Sequence, residues 1–336
     1  MSPAVTAAIV FLVIGFAILI YAGDCLVRGA LAAAYKSNVS PLLVGILIVG
    51  FGTSLPEFLI GVQAASNGYS GLAHGNIIGS NIANILLVLA LPALIFPIAT
   101  DAPRMRITAF FMLMCTAAWI GVTMYFGLTE IVGAGFLVVL AVYAVVAWLV
   151  AREDTTEDTK EEIKIMNTPA WRMIMLILIG LVGLPLGSRL LVDGGITFGR
   201  EMQISERIVG LTLLAFGSSL PELGASVAAA VRKQSDVAMG NIIGSNIFNI
   251  LGVGGVVGIL GPRAHISPEF TAFSNWAMAA AAVLVTLVIF LKRRVGIATG
   301  LIFLAFYGLY LLGLVNNWSF EGLGDLVIAP AAQTPN

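Results

Sequence analysis

Long stretches of apolar residues, separated by short polar segments, dominate the pattern along the 336-residue chain. About 20 consecutive apolar residues are enough to cross a bilayer as a helix. We count ten such stretches, near residues 4–22, 40–67, 76–98, 107–126, 129–151, 170–191, 205–231, 241–261, 271–291 and 295–315. They are continuous rather than alternating, which favours helices over a β-barrel, and lipid admits only these two solutions. The sequence therefore predicts an all-α membrane protein with ten transmembrane helices.

Two polar stretches interrupt this pattern, and they repeat each other. The first reads Phe-Gly-Thr-Ser-Leu-Pro-Glu at 51–57 and Gly-Asn-Ile-Ile-Gly-Ser-Asn-Ile-Ala-Asn at 75–84, and the second has near-identical segments at 216–222 and 240–249. Every aligned pair is 165 residues apart without an insertion. Because five helices per copy is an odd number, the second copy enters the membrane from the opposite side. We therefore predict two inverted five-helix repeats, residues 1–151 and 169–336 with the C-terminal tail, joined by a linker at 152–168.

Composition and charge agree with a membrane protein and suggest its orientation. The chain is 59% hydrophobic and 10% charged, with a mean hydropathy of +1.00, whereas soluble domains carry roughly 25% charged residues. If the amino terminus lies outside, thirteen of the 17 basic residues fall in cytoplasmic loops, as the positive-inside rule expects. We therefore expect a multi-pass protein of the cell (inner) membrane, with a cytoplasmic linker and both termini extracytoplasmic. No basic region precedes the first apolar stretch, so we interpret that stretch as a helix rather than a signal peptide.

Several polar groups outside the repeats have ordinary explanations. The linker holds six acidic residues, but it lacks the ligand spacing and the glycine of a calcium-binding EF-hand loop, so we interpret it as a solvated connection. Cys25 and Cys115 lack the spacing of metal ligands and are expected to pack as small apolar residues. His74 and His265 lie at predicted helix ends, where we expect surface positions.

The repeated glutamates, Glu57 and Glu222, lie near the middle of predicted spans. A charge at that depth costs at least a few kcal/mol, so it needs a partner. No lysine or arginine occurs between residues 37 and 103, or between 208 and 231. The other basic residues cluster at helix ends, which makes mobile cations the better partner.

Oxygen-bearing groups surround both glutamates in the sequence. Pro56 and Pro221 break their helices and free carbonyl groups near Gly52 and Gly217. Hydroxyl and amide side chains at helical spacing add further oxygens, at Thr53, Ser54, Ser80 and Asn84 in the first repeat and at Ser218, Ser219, Ser245 and Asn249 in the second. Such a set favours Ca²⁺ or Na⁺ over transition metals. Two bidentate carboxylates and two carbonyls would supply six ligands, and the two negative charges would balance one Ca²⁺. A purely structural use of the glycines and prolines, in kinks and tight helix packing, is the alternative.

These motifs resemble those of the cation/calcium antiporter superfamily, and most closely its prokaryotic sodium/calcium exchangers. The resemblance implies that Glu57 and Glu222 bind both Ca²⁺ and Na⁺, and that Thr53 and Ser218 offer carbonyl oxygens to Ca²⁺ and side-chain oxygens to Na⁺. It also implies Na⁺ ligands at Ser54, Ser80, Ser219 and Ser245, carbonyl ligands at Gly50 and Ala215, and polar positions at Asn84 and Asn249. Some relatives have aspartate where this chain has one of these asparagines, so any proton or K⁺ dependence is open.

The sequence predicts a secondary antiporter that exchanges Ca²⁺ for several Na⁺ by alternating access, with helices 1 and 6 as the sliding gate. An H⁺/Ca²⁺ antiporter that uses the same carboxylates is the alternative, and a passive cation channel is a further rival. No nucleophile and base, or paired aspartates, occur at membrane depth, so we do not expect an enzyme. We expect a monomer in the lipid bilayer without cofactors or a nucleic-acid partner, with Ca²⁺ and Na⁺ as its substrates.

Overall fold

The computed structural model describes residues 3–151, 168–203, 217–261, 268–291 and 294–316. Helices make up nearly all of these ranges. In chain order they are α1 (Pro3–Ser37), α2 (Pro41–Thr53), α3 (Leu55–Ser66), α4 (Ser70–Ile95), α5 (Met105–Phe126), α6 (Glu130–Ala151), α7 (Ala170–Glu201), α8 (Leu220–Val231), α9 (Ser235–Leu260), α10 (Pro268–Leu291) and α11 (Ile297–Val315). Two short strands, β1 (Ile98–Ala99) and β2 (Arg294–Val295), pair antiparallel, with Ile98 opposite Val295.

The membrane spans that these helices supply agree with the multi-pass prediction. In the described ranges, eight helices are long and apolar enough to cross a bilayer. The helices α2 and α3 meet at a 45° bend and would add a ninth span if they cross together. The span predicted at 205–231 is represented by the 12-residue α8 alone, because residues 204–216 lie outside the described ranges. Ten spans in inverted repeats therefore stay a prediction.

The internal duplication extends from the sequence to the backbone. Adding 165 to the bounds of α3 gives the bounds of α8, and left-handed backbone at Asn38 and Gly68 recurs at Gln203 and Lys233. A short π-helical segment interrupts α4 at Asn84–Val88 and α9 at Asn249–Val253, again at this offset. A further π-helical segment, Gly45–Gly50, lies in α2. The two halves therefore share local conformation as well as motifs.

The sequence prediction for the ends of several helices was wrong. The first apolar stretch was expected to end near residue 22, but α1 continues to Ser37, and α7 continues to Glu201 rather than ending near 191. Charged residues lower the hydropathy beyond residue 22, but the helix continues because Leu26 and Ala30 are fully buried there, with Leu26 against Gly180 of α7. The pair of Asp24 with Arg28 one turn later, at 3.7 Å, adds a small stabilisation. At 1.5 Å per residue, a 35-residue helix is about 52 Å long, well above the thickness of the hydrocarbon core.

Burial separates a central helix pair from a lipid-facing periphery. The most apolar windows of α4 and α9 are 83% buried, whereas those of the other long helices are 11–39% buried. These two central helices carry the repeated Gly-Asn motifs. Close packing against α9 depends on glycine, since a Cβ added to Gly240 or Gly244 would lie 2.5 or 2.6 Å from a carbonyl oxygen of α2. The repeated polar stretches therefore meet in the core.

The surface position expected for one histidine was also wrong. His74 lies inside α4 and is buried, with its Nδ1 atom 2.9 Å from the Ser70 carbonyl oxygen and its ring beside Trp119. The stretch predicted to begin at residue 76 begins instead at Ser70, which places this histidine within the helix. His265 lies outside the described residues. Both cysteines, Cys25 and Cys115, are buried and free, as expected of packing residues.

Candidate cation-binding site

The two repeated glutamates occupy matching positions after a helix break. Ser54 and Ser219 leave the helical conformation, with φ/ψ of −80°/9° and −88°/4°, and the next helix begins one residue later. Pro56 and Pro221 stand in the first turns of these new helices, where the missing N–H costs no hydrogen bond. The glutamates follow directly, near helix amino termini, whose dipole favours negative charge. The predicted breaks therefore place a carboxylate at the start of α3 and of α8.

Both carboxylates are fully buried and almost without partners. Glu57 and Glu222 have no exposed surface. Among the described residues, neither oxygen of Glu57 accepts a hydrogen bond, and the same is true of Oε2 of Glu222. The Oε1 atom of Glu222 accepts one bond, from Ser54 Oγ at 2.9 Å. Within the described ranges no lysine or arginine pairs with either glutamate. The ion pairs seen there join Asp24 to Arg28 and Arg232.

The hydroxyl groups predicted as ligands connect the two repeats. Ser54 of the first repeat reaches Glu222 of the second. Ser245 of α9 donates to the Gly50 carbonyl oxygen of α2 at 3.0 Å, and Thr53 Oγ1 lies 3.4 Å from the same oxygen. Four of the predicted residues are thus in direct contact across the interface of the two halves, and Thr53 lies beside one of them.

Other predicted residues are buried nearby along the same helices. Asn84 and Asn249 begin the π-helical segments of α4 and α9, and their side-chain amides make no hydrogen bond to any described residue. The hydroxyl of Ser219 is also buried without a partner there. The Ser80 hydroxyl donates to the Asn76 carbonyl oxygen at 2.6 Å. Such π-helical turns are frequent at functional sites.

The carbonyl groups expected at Ala215 and near Gly217 have different outcomes. Ala215 lies outside the described residues, so its place stays a prediction. The Gly217 carbonyl, expected to be free after the proline break, accepts a hydrogen bond from Ser188 Oγ of α7 at 2.5 Å. A hydroxyl on a neighbouring helix therefore occupies one of the two lone pairs of this oxygen. Ser218, the counterpart of Thr53, is only partly buried.

Sequence reasoning missed two asparagines of the Gly-Asn motifs. Asn76 Nδ2 donates to the Glu57 carbonyl oxygen at 2.9 Å, and Asn241 Nδ2 donates to the Glu222 carbonyl oxygen at 3.0 Å. Their repetition at the 165-residue offset was the available signal. It was interpreted as part of a helix-packing motif, because the flanking glycines had that explanation.

The chemistry of the assembled groups suits hard cations. Carboxylate, hydroxyl, amide and carbonyl oxygens gather around the two breaks. No cluster of three or more His, Cys, Asp or Glu side chains with metal-binding geometry occurs in the described part of the chain. A buried, uncompensated carboxylate costs several kcal/mol, and a cation held by these oxygens would offset that cost.

Comparison with known proteins places the chain among transporters. It matches the family described as Sodium/calcium exchanger protein over residues 7–149 and 172–316. It is 38% identical over 261 residues to the putative antiporter CaxA of Alkalimonas amylolytica, covering 76% of this chain and 81% of that protein. It is 26% identical over 310 residues to the sodium/calcium exchanger MaX1 of Methanosarcina acetivorans, covering 80% and 87%.

A solved structure has the same fold over nearly the whole length. The sodium-calcium exchanger NCX_Mj, in crystals soaked with 10 mM Na⁺ and no Ca²⁺, superposes with a TM-score of 0.76 at 30% sequence identity. The match covers 93% of this chain and 99% of that one. These relatives are membrane transporters rather than enzymes. Since the family match spans both halves of the chain, the protein belongs to the sodium/calcium exchanger family.

Proposed function

We propose that this protein is a secondary antiporter that exchanges Ca²⁺ for Na⁺ across the cell membrane. The observation that carries the proposal is the pair of fully buried glutamates, Glu57 and Glu222, one from each repeat, without a basic partner among the described residues. Two carboxylates balance one Ca²⁺ or two Na⁺. A site of this kind can hold either ion but not both, and alternating access then makes the exchange obligatory.

In this proposal, Ca²⁺ and Na⁺ use different oxygen ligands besides the two carboxylates. Thr53 and Ser218 give carbonyl oxygens to Ca²⁺ and hydroxyls to Na⁺. Further Na⁺ ligands come from the set Gly50, Ser54, Ser80, Asn84, Ala215, Ser219, Ser245 and Asn249. The contacts of Ser54 with Glu222 and of Ser245 with Gly50 support a site shared by the repeats. The names of MaX1 and NCX_Mj support Na⁺ as the counter-ion over H⁺.

The gate in this proposal is the helix pair α1 and α7, which correspond to the first and sixth of the predicted spans. The two helices pack along each other through small residues, since a Cβ on Gly15 would lie 2.8 Å from the Gly187 carbonyl oxygen, and one on Gly187 would lie 2.9 Å from that of Gly15. Neither helix carries the repeated ligand motifs. Sliding of this pair past the central helices would expose the site to one side and then to the other.

The test is transport in liposomes that contain the purified protein. Uptake of ⁴⁵Ca²⁺ is measured with an outward Na⁺ gradient, an outward K⁺ gradient or a pH gradient as the only driving force. We expect uptake with the Na⁺ gradient and none without a counter-ion. Uptake driven by the pH gradient alone would indicate an H⁺/Ca²⁺ antiporter, and uptake without any counter-ion would indicate a channel. Either result would overturn the proposal.

A further inference from the structure

We propose that Asn241 is a positioning residue for the cation site: it anchors the Glu222 main chain and orients the Thr53 hydroxyl so that its oxygen faces Na⁺. The inference rests on the proposed function and adds a residue that the predicted ligand set lacks. Asn241 is fully buried in α9. Its side chain contacts Glu222 and Ser226 of α8 and Thr53 of α2, so it joins the two repeats at the site.

The orientation of the amide follows from its neighbours. A backbone carbonyl can only accept a hydrogen bond, so the atom 3.0 Å from the Glu222 carbonyl oxygen must be the amide nitrogen. The same nitrogen donates its second hydrogen to Ser226 Oγ, at a distance of 2.8 Å. The amide oxygen, Oδ1, therefore faces Thr53 Oγ1 at 3.2 Å. Since Oδ1 can only accept, the Thr53 hydroxyl is the donor in this contact, which is shorter than its contact with the Gly50 carbonyl oxygen.

This bond fixes which part of the Thr53 hydroxyl remains available. A hydroxyl has one hydrogen and two lone pairs. With its hydrogen directed to Asn241, the lone pairs of Thr53 Oγ1 are free to coordinate a cation. Without Asn241 the hydrogen would turn to another acceptor, such as the Gly50 carbonyl oxygen at 3.4 Å. Asn241 thus acts through Thr53, and its effect should be larger for Na⁺, which is assigned the hydroxyl, than for Ca²⁺, which is assigned the carbonyl.

The repeated asparagine in the first half performs only part of this role. Asn76 makes the equivalent bond to the Glu57 carbonyl oxygen, at 2.9 Å. By the 165-residue offset, the counterpart of the contact between Asn241 and Thr53 would join Asn76 and Ser218. Among the described residues, no hydrogen bond links these two side chains. We therefore expect Asn76 to anchor its glutamate without orienting a hydroxyl.

The same helix supplies a matched control. Asn246 is five residues beyond Asn241, is also buried, and donates its amide to the Ile242 carbonyl oxygen of its own helix at 2.7 Å. A substitution there removes a buried amide from α9 without touching Thr53 or Glu222.

The experiment measures binding of ⁴⁵Ca²⁺ to purified protein and its competition by Na⁺. We expect N241L to weaken Na⁺ competition about tenfold, the effect of one lost hydrogen bond of ordinary strength, with a smaller change in Ca²⁺ affinity. T53V should produce a similar loss for Na⁺, and N241L added to T53V should cause little further loss. N246L should leave the ratio of Na⁺ to Ca²⁺ affinity at the wild-type value.

The outcomes separate this inference from the function it rests on. Wild-type protein that binds Ca²⁺ without competition from Na⁺ would overturn both. Wild-type competition together with an unchanged Na⁺ to Ca²⁺ ratio in N241L would overturn the inference alone, as would full additivity of N241L and T53V. If N241L does not fold, T53V decides, because an unchanged Na⁺ affinity in that variant contradicts a role for the oriented hydroxyl.

Discussion

At the scale of single residues, the protein is defined by buried oxygen atoms that lack hydrogen-bond partners. Glu57, Asn84 and Asn249 are completely buried, and none of their side-chain polar atoms has a partner among the described residues. Most buried polar groups in proteins are satisfied, and each exception calls for an explanation. Cation binding would explain the unpartnered oxygens, because a bound ion would coordinate oxygens that no protein donor reaches. It would leave the amide nitrogens of Asn84 and Asn249 without an acceptor, since an amide nitrogen can only donate.

The first prediction concerns the glutamates. E57Q and E222Q should each abolish Ca²⁺ transport while the protein remains folded. Each substitution removes half of the negative charge that balances Ca²⁺ and changes the shape of the side chain little. Thermal unfolding in detergent provides the check. At a Ca²⁺ concentration of 100 times Kd, a bound ligand stabilises the wild type by about 2.7 kcal/mol, and this gain should disappear in both variants. A persistent Ca²⁺-dependent shift in either one would contradict the assignment.

What the sequence could predict at this scale follows from spacing along one helix. Spacing predicts that Glu57, Thr53 and Ser54 share one side of a break, and this grouping stays a prediction. The contact of Ser54 with Glu222 and that of Ser188 with Gly217 join different helices. Such contacts depend on packing between helices, which a single sequence does not specify, and for this reason the role of Asn241 and the partner of Gly217 were missed.

At the scale of helices, irregular backbone occurs where the repeats meet. The bend between α2 and α3 lies in the first repeated stretch, the π-helical segment of α2 ends directly before it, and those of α4 and α9 begin at the last residue of a repeated stretch. A further π-helical segment, Val122–Phe126, ends α5 outside these stretches. Non-helical backbone at membrane depth is tolerated when it is buried in protein or lines a cavity. The sequence predicted the breaks from proline. It did not predict the full length of α1, because the residues beyond Asp24 are less apolar on average yet still bury Leu26 and Ala30.

The second prediction tests the close contact of α9 with α2. In G244A the new Cβ would lie 2.6 Å from the Ile46 carbonyl oxygen, which is backbone and cannot move alone. Overpacking of this kind costs typically about 1–3 kcal/mol. G308A in α11 is the control, since no described atom lies within 4 Å of its Cβ, and alanine is favoured over glycine in a helix. Equal thermal stability of the two variants would contradict the packing described here.

At the scale of the whole molecule, the duplication brings residues of the proposed site together from both halves of the chain. Glu57 and Gly50 come from the first repeat, and Glu222 and Ser245 from the second. The 165-residue offset that revealed the repeat in the sequence also relates helix bounds and left-handed residues in the structure. The repeat was thus predictable from sequence. Its inverted arrangement and the orientation in the membrane stay predictions.

The third prediction concerns orientation. In a background with C25A and C115A, a cysteine introduced by K160C in the linker should be protected from an impermeant thiol reagent applied to intact cells, whereas one introduced by Q333C should be labelled. The bias of basic residues towards one set of loops is the reason. Labelling of both positions after cell disruption is the control. Labelling of K160C in intact cells would reverse the orientation.

The fourth prediction follows from the neutral side chains of Asn84 and Asn249. With two carboxylates only, the Ca²⁺-loaded site is neutral and a site with more than two Na⁺ is positive. Moving one elementary charge across the membrane changes its free energy by about 2.3 kcal/mol per 100 mV. An inside-negative potential should therefore draw Na⁺ inward and increase Ca²⁺ extrusion. The final Ca²⁺ gradient in proteoliposomes clamped with K⁺ and valinomycin, after K⁺ transport is excluded, should therefore depend on voltage. Identical gradients at zero and negative potential would mean electroneutral exchange, with either two Na⁺ per Ca²⁺ or a further charge that travels with the site.

We propose that Ca²⁺ and Na⁺ move in opposite directions through one site built from Glu57 and Glu222. The most direct test follows ⁴⁵Ca²⁺ and ²²Na⁺ in the same proteoliposomes, for the wild type and for E57Q and E222Q. We predict that Ca²⁺ leaves the vesicles only while Na⁺ enters, with a constant ratio of the two fluxes, and that both fluxes vanish in each variant. Ca²⁺ efflux without Na⁺ entry would contradict antiport, and coupled fluxes that persist in either variant would contradict a site built from these glutamates.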